Sequence, residues 1–177
     1  MDGKKRKDFA LPDSIKTSIQ SIPLNSGSDV KDIVIQFQEA LQLKATSMAI
    51  PEPETKSMIR DLALRAKSEK RDDLVRHLRD ITPAGTTGPL LNEDMSVGCM
   101  PYKQYEELTF SLSGGDEWKL LAERLGLSQI QIRFLDKRVT NPSDVVLSAV
   151  GKHRHLSVGE IYDTLVDCEL PAIADLM

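Results

Sequence analysis

The stretch Leu156-Ser157-Val158-Gly159-Glu160-Ile161-Tyr162-Asp163-Thr164-Leu165-Val166 restricts the fold more than any other part of the chain. Ser157 suits an N-cap, where its hydroxyl accepts from backbone N–H groups of the first turn. Glu160, three residues on, is spaced to return a bond to the Ser157 N–H and close a capping box. Leu156 and Ile161 occupy the two positions of a hydrophobic staple. Val158, Ile161, Tyr162, Leu165 and Val166 recur at the spacing of one helix face. A helix therefore starts at a defined residue with a defined face inward, and that face needs other elements to cover it.

The same punctuation recurs from Pro101 onward. Tyr105, Leu108 and Leu112 mark a first helix, ended by Ser113-Gly114-Gly115. Asp116 is placed to cap a second, whose inner stripe is Trp118, Leu121, Ala122 and Leu125, with Gly126 suited to its C-terminal turn. Ser128 and Gln131 form another capping box, with Leu127 and Ile132 as its staple. The third helix then turns Ile132, Leu135 and Val139 inward, with Phe134 adjacent. Asn141-Pro142 reads as an N-cap followed by proline at the first helical position, and Val146, Ala149 and Val150 follow as a stripe. Gly151 to His155 reads as a basic loop. Leu170-Pro171 opens a last helix carrying Ile173, Leu176 and Met177. Six short amphipathic helices in residues 101–177 predict an all-α, six-helix antiparallel bundle. Its core is expected to contain Trp118, Leu121, Leu125, Leu135, Val158, Ile161 and Leu165. No segment shows sustained β alternation.

The first hundred residues predict a smaller helical region. Residues 1–11 form a basic tail in which Lys4-Lys5-Arg6-Lys7 reads either as a nuclear-import or phosphate-binding cluster or as a solvated terminus. Residues 12–82 carry helical stripes: Ile15, Ile19 and Ile22 before Pro23; Val30, Ile33, Val34, Phe37 and Leu41 in a helix capped at Ser28 and running to about Thr46; Met58, Ile59, Leu62, Ala63 and Ala66 in a helix from about Glu54 to Ser68; and Leu74, Val75, Leu78 and Ile81. The Lys- and Arg-rich run from Lys56 to Arg79 is either a partner surface or a solvated face with i, i+4 pairs. Residues 83–100, rich in Thr, Gly and Pro and without a period, read as the linker between domains.

Charge narrows the function. Residues 1–100 hold 15 Lys/Arg and 15 Asp/Glu; residues 101–177 hold 8 against 12, which accounts for the whole net charge of −4. A general nucleic-acid binder carries a basic excess, so nucleic acid is not the expected partner. Cys99 and Cys168, the two cysteines, form no CxxC and have no histidine cluster beside them, so the expectation is reduced thiols and no metal. No signal-peptide-like run and no stretch of membrane-spanning length occurs, so no membrane insertion is expected and a cytoplasmic or nuclear location fits. No Ser/His/Asp or Cys/His constellation, HExxH motif or phosphate loop is present in convincing context. His153 and His155 flank Arg154 and read as a cation cluster rather than a metal pair. The expectation is a chain with no enzymatic activity and no cofactor.

These residues resemble a known family. Glu117-Trp118-Lys119-Leu120-Leu121-Ala122-Glu123-Arg124-Leu125-Gly126-Leu127 is similar to the second helix of a death domain. Ile132-x-Phe134-Leu135, Asn141-Pro142 and Val145 to Ala149 resemble its third and fourth helices. Leu156 to Ile161 resembles the start of its fifth, and Ile173-Ala174-Asp175-Leu176 its last. One departure is Ala149-Val150-Gly151, where many members carry a second tryptophan. Leu62 to Leu78, with its Lys70-Arg71-Asp72-Asp73-Leu74-Val75 joint, faintly resembles the last two helices of a death effector domain, so residues 12–82 read either as a divergent bundle of that kind or as an unrelated helical segment. The resemblance implies a signalling adapter, in apoptosis or innate immunity, whose partners are other death-domain proteins and further copies of itself, with a separate effector partner for the N-terminal region. It also implies contacts through charged patches: Lys119, Arg124, Arg133, Lys137 and Arg138 on the basic side, and Asp144, Glu160, Asp163 and Asp167 on the acidic side. The alternative is a nuclear protein using such a module structurally within a nucleic-acid-processing complex.

Overall fold

The computed structural model describes residues 17, 20–25, 27–45 and 52–177, with the side chains of all but 41–45, 52 and 53. Regular structure among these residues is entirely helical, and the chain divides into two compact units, 1–81 and 82–177. The expected basic tail, Ile15, Ile19 and the helix end at Thr46 lie outside the described residues.

The first unit contains α1 (Val30–Ala45), α2 (Glu52–Ser68) and α3 (Asp72–Ile81). Asp29 takes the capping role expected of Ser28, its Oδ1 accepting from the Lys31 N–H at 3.0 Å. Ile33, Val34 and Phe37 of α1 are buried, as are Met58, Ile59, Leu62, Ala63 and Ala66 of α2 and Leu74, Val75 and Leu78 of α3. Ile81, expected to face inward, is instead exposed at the end of α3. The α2–α3 joint is closed by backbone bonds from Lys70 to Lys67 and from Arg71 to Ala66, a Schellman-type turn with Lys70 at φ +57°. Arg71 is buried there. Its guanidinium donates to the Asn25 and Ser28 carbonyls at 2.8 and 3.0 Å and to both Asp73 carboxylate oxygens. One side chain thus ties the turn before α1 to the start of α3.

The second unit contains α4 (Tyr102–Ser113), α5 (Glu117–Arg124), α6 (Gln129–Arg138), α7 (Pro142–His153), α8 (Val158–Asp167) and α9 (Pro171–Ala174). α4 packs on α5, α7 and α9, and α5 packs on α6, α7 and α8. The core holds Leu108, Leu112, Trp118, Leu121, Ala122, Ile132, Val146, Val158, Ile161, Tyr162 and Leu165. Leu125 and Leu135 are half-buried against it. In α7 the inward pair is Val146 and Leu147, whereas Ala149 is exposed. α7 also continues through Gly151 to His153, where a loop was expected.

Residues 83–100 are not a linker between the units. They belong to the second unit and bury Thr86, Thr87, Val97 and Met100. The Leu91 N–H donates to the carbonyl of Met177, and the Gly85 N–H to Asp175 Oδ2. Val97 donates to Leu156, while Val158 and Gly159 donate back to Met95 and Glu93 at 2.8 and 2.9 Å. Backbone bonds to distant residues hold this segment, so it shows no period of its own.

Candidate interaction surface

The N-terminus of α8 shows how the helix ends are satisfied and which charges remain outside. Its first four N–H groups all have acceptors: Val158 and Gly159 use Met95 and Glu93, Glu160 uses Ser157 Oγ at 3.1 Å, and Ile161 uses the Ser157 carbonyl. Glu160 does not complete the expected capping box. Its carboxylate turns to Arg154, whose two terminal nitrogens meet its two oxygens at 2.7 and 2.8 Å. This fork raises the Arg154 pKa, chiefly through the hydrogen bond to Glu160. Glu160 is therefore already paired within its own chain.

Two further candidate contacts are also occupied. Lys119 lies between Asp116 at 2.6 Å and Asp136 at 3.1 Å, a bridge from the start of α5 to α6. Hydrogen bonds to these carboxylates raise its pKa. Asp116 holds Lys119 and makes no side-chain cap on α5. Asp144 Oδ1 accepts from the Tyr105 hydroxyl at 2.7 Å, and burial with this bond pushes the Tyr105 pKa up to about 12. Asp144 thus joins a polar stitch between α4 and α7. Within it Ser113 Oγ donates to Asn141 Oδ1 at 2.8 Å, Ser143 Oγ to the Thr109 carbonyl at 2.7 Å, and the Asp144 N–H to Asn141 Oδ1 at 3.3 Å.

The remaining candidates face outward. Arg133, Lys137 and Arg138 are exposed along α6, and Asp163 and Asp167 along α8. Arg138 stacks over the Phe134 ring, 5.6 Å from its centroid. Arg124 is exposed beside Cys168. Both thiols are free, and burial raises that of Cys168. Among the described residues no cluster of His, Cys, Asp or Glu could hold a metal ion, and no helix is long and apolar enough to cross a membrane.

Charge patterning alone does not reveal the apolar part of this surface. A groove of about 650 Å³ runs between α6 and α7, lined by Ile130, Phe134, Leu135, Val145, Ala149 and Val150. Ile130 is 82% exposed and Phe134 59%. The signal was present in the sequence as a second i, i+4 pair on α6, set off from the Ile132–Leu135 stripe. No family model matches the chain, and no curated protein or solved structure was found to be similar to it.

Proposed function

We propose that this chain is a non-enzymatic adapter that assembles complexes through homotypic death-domain contacts of its second unit, in apoptotic or innate-immune signalling. The observation that carries the reading is the helical second unit in which the family-like motifs fall on separate helices in chain order: Trp118 inside α5, Asn141-Pro142 opening α7, and Ser157-Val158-Gly159 opening α8. Some of its charges, among them Lys119, Arg154 and Glu160, are paired within the unit, whereas Arg133, Lys137 and Arg138 form an exposed cationic face on α6. Such faces select partners and register by complementarity more than they add affinity. Asp163 and Asp167 supply an opposite face on α8. The first unit, with its own core, is the place for a different partner.

The test is binding of the purified full chain to a panel of purified death-domain modules at increasing salt. The expected result is binding to at least one module that weakens as salt screens the charges. Reversing Arg133 and Lys137 together to Glu should weaken it by about tenfold or more. Absence of binding to every module at low salt would overturn the proposal. The alternative, a structural role in a nuclear complex, draws on the Lys4–Lys7 cluster; exclusion of the intact chain from nuclei would refute it.

A further inference from the structure

Two apolar surfaces of the second unit are open to solvent, and their charges are opposite. The first is the α6–α7 groove. Its floor is apolar, Ile130 and Phe134 stand proud of it, and Lys137 and Arg138 follow on the next turn of α6. His153 and Arg154 close the α7 end, the latter with its charge met by Glu160. The second is the outer face of α4. Phe110 is 78% exposed there, with Glu107, Glu106 and Lys103 exposed three, four and seven residues before it on the same side of the helix, two carboxylates against one ammonium. Tyr102, 76% exposed, continues this face and donates to Glu106 at 3.3 Å.

We propose that the α6–α7 groove is the seat for the α4 face of a second copy of this chain, with Phe110 entering beside Phe134. Glu106 and Glu107 then meet Lys137 and Arg138. Charge sign decides the pairing. Groove against groove would bring two cationic rims together, and α4 against α4 would bring together two faces that are each net acidic; groove against α4 opposes unlike net charges. A volume of about 650 Å³ is ample for an aromatic ring and within the range of sites that take larger groups. The contact joins two different surfaces, so each copy keeps one groove and one α4 face available, and copies add head to tail. This inference specifies the self-association within the adapter reading and rests on that reading only for the statement that copies assemble.

The experiment is analytical ultracentrifugation of the full chain across a concentration series, with Phe110→Glu and Phe134→Glu as single variants. Both side chains are exposed, and unchanged helical circular dichroism and Trp118 emission would verify the fold. Each variant alone should associate at least about 30-fold more weakly than the unaltered chain, the loss expected for an aromatic anchor. An equimolar mixture of the two should recover a one-to-one pair and stop there, because one retains a groove and the other an α4 face. Reversing Glu106 and Glu107 to Lys should weaken association, and mixing that variant with one reversing Lys137 and Arg138 to Glu should restore it. A monomeric unaltered chain, single variants that assemble like it, or a mixture that stays monomeric would each overturn the inference. Salt-sensitive binding to another death-domain module would still leave the adapter reading standing in those cases.

Discussion

Gly159 shows how a single missing methyl group decides what can approach a helix. It sits in the first turn of α8, and a Cβ built there would lie 3.0 Å from Glu93 Cβ and 3.2 Å from the Glu93 carbonyl oxygen. That carbonyl is the acceptor of the Gly159 N–H. Gly159→Ala should therefore push residues 93–95 away and destabilise the second unit by roughly 1–3 kcal/mol, measured by urea unfolding, despite alanine's better helix propensity. Arg71 makes the converse point, since it acts through what it touches. Replacing it with Met leaves the Asn25 and Ser28 carbonyls without its donors and should cost the first unit roughly 2–4 kcal/mol. Its partner Asp73 has a pKa held down chiefly by the Arg71 hydrogen bond. The stabilisation from this pair is present above the ordinary carboxylate range and is lost as pH falls through the lowered folded-state value. Asp73→Asn should flatten the acid limb of the first unit's stability profile.

At the scale of elements, caps differ in how much depends on them. The Ser128 cap on α6 is self-contained: Ser128 Oγ accepts from the Gln131 N–H, and Gln131 Oε1 accepts from the Ser128 N–H at 2.8 Å. α5 ends with similar economy. Gly126 at φ +95° allows Leu127 to bond Ala122 and Gly126 to bond Glu123. These local devices were legible from residues a few positions apart. α8 is different, because two of its N-terminal donors are satisfied from residues 93–95 and its Glu160 is drawn to Arg154. Ser157→Ala should cost about 1 kcal/mol, the usual loss for an N-cap. Glu160→Ala removes only a half-exposed ion pair and should change stability by less than about 1 kcal/mol. A full capping box would make both substitutions costly, so thermal unfolding of the two variants side by side measures which description holds.

For the whole molecule, the decisive boundary lies at Ile81–Thr82. A chain of residues 82–177 should fold, while one of residues 101–177 lacks Val97 and Met100 from its core and the acceptors for Val158 and Gly159. Burial of those two side chains is worth roughly 1.5–3 kcal/mol each. The shorter chain should therefore melt well below the longer one by circular dichroism, or fail to fold. Trp118, the one tryptophan of the chain, is buried in the second unit. Its fluorescence should follow unfolding of that unit, and Arg71→Met should leave its transition in place while displacing the loss of helical signal from the first. Coincident displacement of both signals would show that the units unfold together.

Most stripe positions of α4 to α8, and the Ser128, Asn141 and Ser157 caps, could be read from the chain because each depends on residues within a turn or two of one another. Ser128 with Gln131, Asn141 with Pro142, and Val158 with Ile161, Tyr162 and Leu165 are examples. Burial then follows wherever the stripe has something to cover it. Tertiary structure alone decided the rest. The role of residues 83–100 depends on carbonyls and amides that every sequence carries, and on partners some 60 to 90 positions away. Whether a charge is spent or available depends on a neighbour beyond its own helix: Lys119 found Asp136 on α6, Asp144 found Tyr105 on α4, and Glu160 found Arg154 at the end of α7. Leu156 to Val166 thus determined a helix and its inner face by local chemistry, while the segment that caps it and the cation that claims its carboxylate were set by the fold.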